Sequence, residues 1–126
     1  MTGPLLDDAS IADSATLWRR IFPKWWVWDE RRNAFRLSSQ AFENSRDGSG
    51  TSVVLADEST VEEVLGGFDG YGLAALTAGA ARAAQQGVRR VPLKDVRGHA
   101  QIEGTKSGAV RAKLVAAAEI IFPPTA

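Results

Sequence analysis

The sequence predicts an α+β fold in a single domain, with a central mixed or antiparallel sheet and helices packed mainly on one face. Three observations predict it. The chain has 126 residues, the size of one domain. Its composition is 44% hydrophobic and 24% charged, which is enough to build a core and too apolar for disorder of the whole chain. Strand-like and helix-like segments follow one another irregularly, without the regular βαβ alternation of a doubly wound fold.

Residues 1–12 are expected to be a flexible lead-in, and residues 13–126 the single domain. Ser14 is placed to cap a short helix over 14–21, its hydroxyl accepting an orphan backbone N–H, and Pro23 cannot continue that helix. Lys24-Trp25-Trp26-Val27-Trp28 is a run of aromatic and β-branched residues and reads as a strand. Asp29-Glu30-Arg31-Arg32-Asn33 is a polar turn, and residues 34–38 read as the return strand. Together they predict a Trp-rich antiparallel hairpin. Residues 44–51 form a Gly- and Ser-rich loop.

Residues 52–56 read as a buried strand. A helix over 61–65 follows, capped by Ser59 or Thr60, with Glu62 and Glu63 in the first turn where the helix dipole favours them. Gly66-Gly67 ends it. Residues 71–76 fit either a strand or a helix start. Thr77 caps a helix over 78–86 that stops at Gly87, and residues 88–93 read as a strand that Pro92 confines to an edge or an end. Alternation makes 99–103 a strand, with His99, Gln101 and Glu103 on one face and Ala100 and Ile102 on the other. Ser107 caps a last helix over 108–119, whose Val110, Leu114, Val115 and Ala118 share one face. Ile120-Ile121-Phe122 reads as an apolar tail closed by Pro123-Pro124.

Composition also excludes chemistries. No cysteine is present, so there is no disulfide framework and no thiolate zinc site. One histidine and no paired-carboxylate spacing leave no metal site to predict. The longest apolar stretches carry Arg82, Arg111, Lys113 and Glu119, so none reads as a membrane span. Met1-Thr2-Gly3-Pro4 has no basic start followed by an apolar run, so no secretory signal is expected and a cytoplasmic location is. Fifteen Lys and Arg balance fifteen Asp and Glu, which argues against a nucleic-acid partner. Arg exceeds Lys and Ala is abundant, a bias of GC-rich coding that points to a bacterial source. Three glycine-rich stretches, around residues 47–52, 67–72 and 98–107, have the wrong order or spacing for phosphate loops and read as turns. No cofactor is expected.

All four tryptophans fall between positions 18 and 28. Neighbouring residues of a strand face opposite ways, so Trp25, Trp26 and Trp28 cannot all enter one core. Trp25, Trp26 and Trp28 with Arg31, Arg32 and Arg36 are therefore the candidate binding residues, since Trp and Arg anchor contact surfaces. The catalytic candidates are His99, Glu103, Ser38 and Ser39, with His99 suited to proton transfer near neutrality.

Two resemblances bear on function. Arg36 on one strand, Thr51-Ser52 at the start of another and Gln101-Ile102-Glu103 on a third resemble the ordered Arg, Ser-Thr-Ser and Gln-x-Glu elements of ADP-ribosyltransferases. That resemblance implies Glu103 as catalytic carboxylate and Arg36 as a ligand of NAD phosphates. Leu17-Trp18-Arg19-Arg20-Ile21, Arg36-x-Ser38-Ser39-x-x-Phe42, Ser52-Val53, His99-Ala100 and Gly104-x-Lys106 resemble small bacterial proteins of no assigned function, which implies a compact domain and no catalysis. The leading expectation is a non-enzymatic binding or accessory protein that meets a protein partner, or a second copy of itself, through its Trp/Arg surface. The alternative is a small enzyme or nucleotide binder with a polar pocket around Arg36 and His99.

Overall fold

The structure is a computed structural model, and it describes residues 6–46 and 49–123. Residues 1–5 of the expected lead-in and residues 47–48 of the expected loop lie outside the described residues. Among the described residues there are eight strands, β1 (Thr16–Ile21), β2 (Trp26–Asp29), β3 (Ala34–Leu37), β4 (Thr51–Leu55), β5 (Gly72–Thr77), β6 (Gly87–Arg90), β7 (His99–Glu103) and β8 (Glu119–Phe122). Three short helices accompany them, α1 (Val61–Leu65), α2 (Ala78–Ala83) and α3 (Gly108–Ala117). Six strands form one antiparallel sheet in the order β6-β7-β4-β1-β5-β8, and β2 pairs with β3 apart from it.

The sheet separates two apolar clusters. Leu17 pairs with Leu55 and Leu76 on one face, while Trp18 pairs with Val54 and Ala75 on the other. The larger cluster holds Leu17, Ile21, Val53, Leu55, Leu76, Ala100 and Ile102, with Ala78 and Ala81 from α2 and Leu114 from α3. The smaller holds Val54, Leu73 and Val64 of α1, with Trp18, Leu65 and Val96 against them. Helix packing is thus divided between the two clusters.

Each helix has the cap that the sequence assigns. Thr60, Thr77 and Ser107 accept from the N–H groups of Glu63, Ala80 and Val110. Leu114 is fully buried and Val115 half-buried on α3.

Three expectations change. The helix expected over 14–21 is instead β1, a central strand of the sheet. Its inward set is Leu17, Arg19 and Ile21, and a charged residue at the middle of that set hides the period of two. What remains visible, apolar residues at 17, 18 and 21, imitates a helical stripe. The apolar tail over 120–122 is an edge strand, β8, paired to β5. Trp25 lies in a 3-10 turn, Pro23–Trp25, rather than in the first hairpin strand.

Residues 6–12, expected as lead-in, lie against the outer edge of β6. The Asp8 N–H donates to the Val88 carbonyl at 2.8 Å, and the Val88 N–H donates to the Asp7 carboxylate at 2.8 Å. Ile11 joins the larger cluster. Arg82 fixes the segment by donating to Asp7, Asp13 and the Asp8 carbonyl. The Leu6 backbone occupies the space that a side chain at position 87 would need, which accounts for Gly87.

Candidate functional site

The hairpin forms as the sequence predicts, with Trp26 opposite Leu37, Val27 opposite Arg36 and Trp28 opposite Phe35. This register gathers Trp26, Trp28, Phe35 and Leu37 on one face and leaves Val27 and Arg36 on the other. The apolar face is graded along its length. Trp26 and Leu37 are buried, while Trp28 is 50% and Phe35 40% exposed. Phe35 makes edge-to-face contacts with both indoles, 5.2 Å from Trp28 and 6.1 Å from Trp26. The buried end docks on β5, where the Trp26 ring lies over Gly72 in the volume a side chain there would fill.

Asp29 shapes the turn by accepting from the N–H groups of Arg31 and Arg32, and Asn33 takes a positive φ of 52°. Arg31, Arg32 and Arg36 are exposed around the projecting end. Trp25 is half-buried beneath the hairpin, edge-on to Phe22 at 5.7 Å and 5.0 Å from the Arg19 guanidinium. The binding candidates thus divide by role. Trp26 anchors, Trp25 packs, and Trp28 with the three arginines faces solvent.

The remaining candidates lie elsewhere. Ser38 is the N-cap of a 3-10 turn, Ser39–Phe42, accepting from the Gln40 N–H, and Ser39 is exposed on that turn. His99, Gln101 and Glu103 share one face of β7, as alternation predicts, and all three are buried. Register sets Ser52 and Arg89 on either side of Gln101. His99 Nδ1 lies 2.7 Å from the Val91 carbonyl and Nε2 lies 3.2 Å from Ser52 Oγ. The carbonyl can only accept, so Nδ1 carries a proton, and in the neutral ring Nε2 accepts from the Ser52 hydroxyl. Arg89 Nη2 stands 3.7 Å from a Glu103 carboxylate oxygen, and Glu103 Oε1 and Gln101 Oε1 are buried without a hydrogen-bond partner among the described residues.

Beside His99 and Ser52 is a small cavity of about 20 Å³, lined also by Trp18, Arg20, Val54 and Val64. Arg20 donates to the Val64 carbonyl at 3.1 Å and lies 3.9 Å over the Phe68 ring. Burial lowers its pKa from the ordinary arginine value. A wider hollow of about 390 Å³ opens on the other side of His99, among Arg90, Leu93, Val96 and Arg97. Among the described residues, no hydrogen bond or ion pair joins Arg36, Ser38 or Ser39 to His99. Thr51-Ser52 and Gln101–Glu103 do lie on paired strands, and Arg36 is on the separate hairpin. No group of three or more metal-ligating side chains occurs among the described residues, and none of their helices is long and apolar enough to cross a membrane.

Compared with protein-family models, with curated proteins and with solved structures, the chain matches none of them. The Ser52–His99 contact was missed as a constellation in the sequence. Both residues sit at strand positions of known parity, but only the β4–β7 register brings them within reach of each other.

Proposed function

We propose that this chain is a small binding or accessory protein that engages a protein partner through the projecting end of its β2–β3 hairpin. One observation carries the reading: Trp28 and Phe35 pack edge-to-face while staying half in solvent, on an apolar face whose other end is fixed in the core. A rigid aromatic pair loses little conformational entropy on contact, which lowers one of the costs of association. Arg31 and Arg32, exposed in the adjoining turn, supply the polar rim such a contact needs, while Arg36 lies on the opposite face of the hairpin. The zero formal charge, with Asp29 and Glu30 in the same turn, favours protein over nucleic acid as partner. The reading asks for contact and not for catalysis.

Photocrosslinking tests it. A photoreactive phenylalanine analogue placed at position 28 should capture a discrete protein in source cells, and the same group at exposed Lys113 on α3 should not. Equal capture at both positions, or none at position 28, would overturn the reading. Sedimentation of the purified chain then tells whether the captured partner is a second copy.

A further inference from the structure

Serine hydroxyls are poor nucleophiles until a base of fixed tautomer takes their proton. That arrangement is present on the sheet face opposite α2 and α3, away from the hairpin surface. The Val91 carbonyl, 2.7 Å from Nδ1, holds the His99 proton on that nitrogen and turns the Nε2 lone pair toward Ser52 Oγ at 3.2 Å. The carbonyl orients the ring, as a third group does in nucleophile–base pairs generally. His99 is buried on β7 and Ser52 half-buried on β4, so both partners are held by a paired ladder rather than by loops.

The space beside them limits what could react. The cavity of about 20 Å³ holds about one water-sized group, enough for a carbonyl oxygen, so the pair is restricted to the smallest acyl units. Its wall includes Arg20, whose guanidinium is fixed by the Val64 carbonyl and the Phe68 ring. A cation at that wall favours the negative charge that develops on a carbonyl oxygen during acyl transfer.

We propose that Ser52 and His99 form a nucleophile–base pair that accepts short acyl groups from activated esters. Ser52 Oγ bonds to the ester carbonyl carbon as its proton passes to His99 Nε2. The tetrahedral adduct collapses, the ester C–O bond breaks, and the leaving group departs with the bonding electron pair. The products are acetyl-Ser52 and an imidazolium that returns its proton to solvent or to the leaving group. Water attacking the acyl carbon, with His99 again taking the proton, regenerates the serine and releases acetate.

The probe is p-nitrophenyl acetate. Wild-type protein should release p-nitrophenolate and gain one acetyl group, which peptide mapping should place on Ser52. Ser52→Ala should lose that label. His99→Gln, which keeps an amide near the Nε2 position as partner for the hydroxyl, should slow its formation about a hundredfold. Circular dichroism of both variants should match the wild type. Labelling confined to lysines, Lys106 included, or p-nitrophenolate release unchanged in Ser52→Ala, would overturn the proposal. So would an unlabelled wild type. None of these outcomes bears on the hairpin reading.

Discussion

Arg19 Nη1 donates to the Ser52 carbonyl at 2.9 Å, just beyond the point where the β1–β4 pairing ends. The same guanidinium donates from Nε to the Ala41 carbonyl at 2.9 Å and lies 5.0 Å over the Trp25 ring. One half-buried cation thus ties β1, β4, the Ser39–Phe42 turn and the hairpin base together. Burial lowers its pKa to about 10, with the neighbouring Arg20 charge adding to the effect, so it stays charged at neutral pH.

Removing those donors should be expensive. Arg19→Met keeps most of the apolar stem but leaves the Ala41 and Ser52 carbonyls without their partner, at an expected cost of about 3 kcal/mol. Arg19→Lys presents a single point donor in place of a planar fork and should recover only part of the loss. Urea unfolding of the three proteins checks the order. Equal midpoints for wild type and Arg19→Met would show that the bridge contributes nothing.

Leu114 is the fully buried residue of α3 and meets the larger cluster. Leu114→Ala should cost about 2–5 kcal/mol, since the cavity it leaves adds to the lost transfer energy. Ala116, exposed on the same helix, is the control, and Ala116→Ser should change stability by less than about 0.5 kcal/mol. Chemical denaturation compares them directly.

Lys106 is half-buried, and desolvation lowers its pKa from 10.5 to about 8, only partly offset by the Glu103 charge. Its ammonium donates to Asn44 Oδ1 at 2.8 Å and to the Ile102 and Gly104 carbonyls at 2.9 Å. Between pH 8 and 10.5 the unfolded chain holds this proton and the folded chain does not. The unfolded state therefore binds more protons, and the contribution of Lys106 to stability rises with pH across that window. Below pH 8 the charged form carries its desolvation cost into the fold. Stability measured against pH in wild type and Lys106→Met should diverge within this window, wild type gaining relative to the variant as pH rises. A flat difference would place the folded-state pKa at its ordinary value.

Much of this fold can be read in the sequence, and the exceptions share a cause. The strand at 99–103 is legible because its side chains alternate, the hairpin because an aromatic and β-branched run precedes a polar turn, and α1, α2 and α3 because Thr60, Thr77 and Ser107 stand before them as caps. The central strand β1 is not legible, because Arg19 takes an inward position that sequence patterns reserve for apolar residues. A half-buried arginine of this kind is stabilised by carbonyls distant in sequence, at positions 41 and 52, so nothing local announces it. The site divides in the same way. Alternation predicts that one indole is exposed, but the exposed Trp28 shares its face with the buried Trp26, so the difference comes from where the hairpin docks, and the meeting of Ser52 with His99 depends on the pairing of strands 47 residues apart.

The grading of the hairpin face gives the last prediction. Trp26 and Trp28 are two residues apart and face the same way, yet their surroundings differ. Trp26 is 9% exposed and rests over Gly72, whereas Trp28 is 50% exposed and touches Phe35. Trp26→Ala removes a core side chain and should cost about 3–5 kcal/mol. Trp28→Ala removes one edge-to-face contact and half of an indole's burial, so its cost should be about 2 kcal/mol, below that of Trp26→Ala. Gly72→Ala is a third route to the same point, because the added methyl meets both the Trp26 ring and the Phe122 carbonyl. It should destabilise comparably to Trp26→Ala, and the two should be markedly non-additive when combined, since both unseat one contact. Iodide quenching reports the geometry separately. Trp28→Ala should remove most of the quenchable fluorescence, while Trp18, Trp25 and Trp26 supply the protected remainder. Equal costs for Trp26→Ala and Trp28→Ala, with quenching unchanged by loss of Trp28, would mean that the outer end of the hairpin is covered within the chain and offers no surface to a partner.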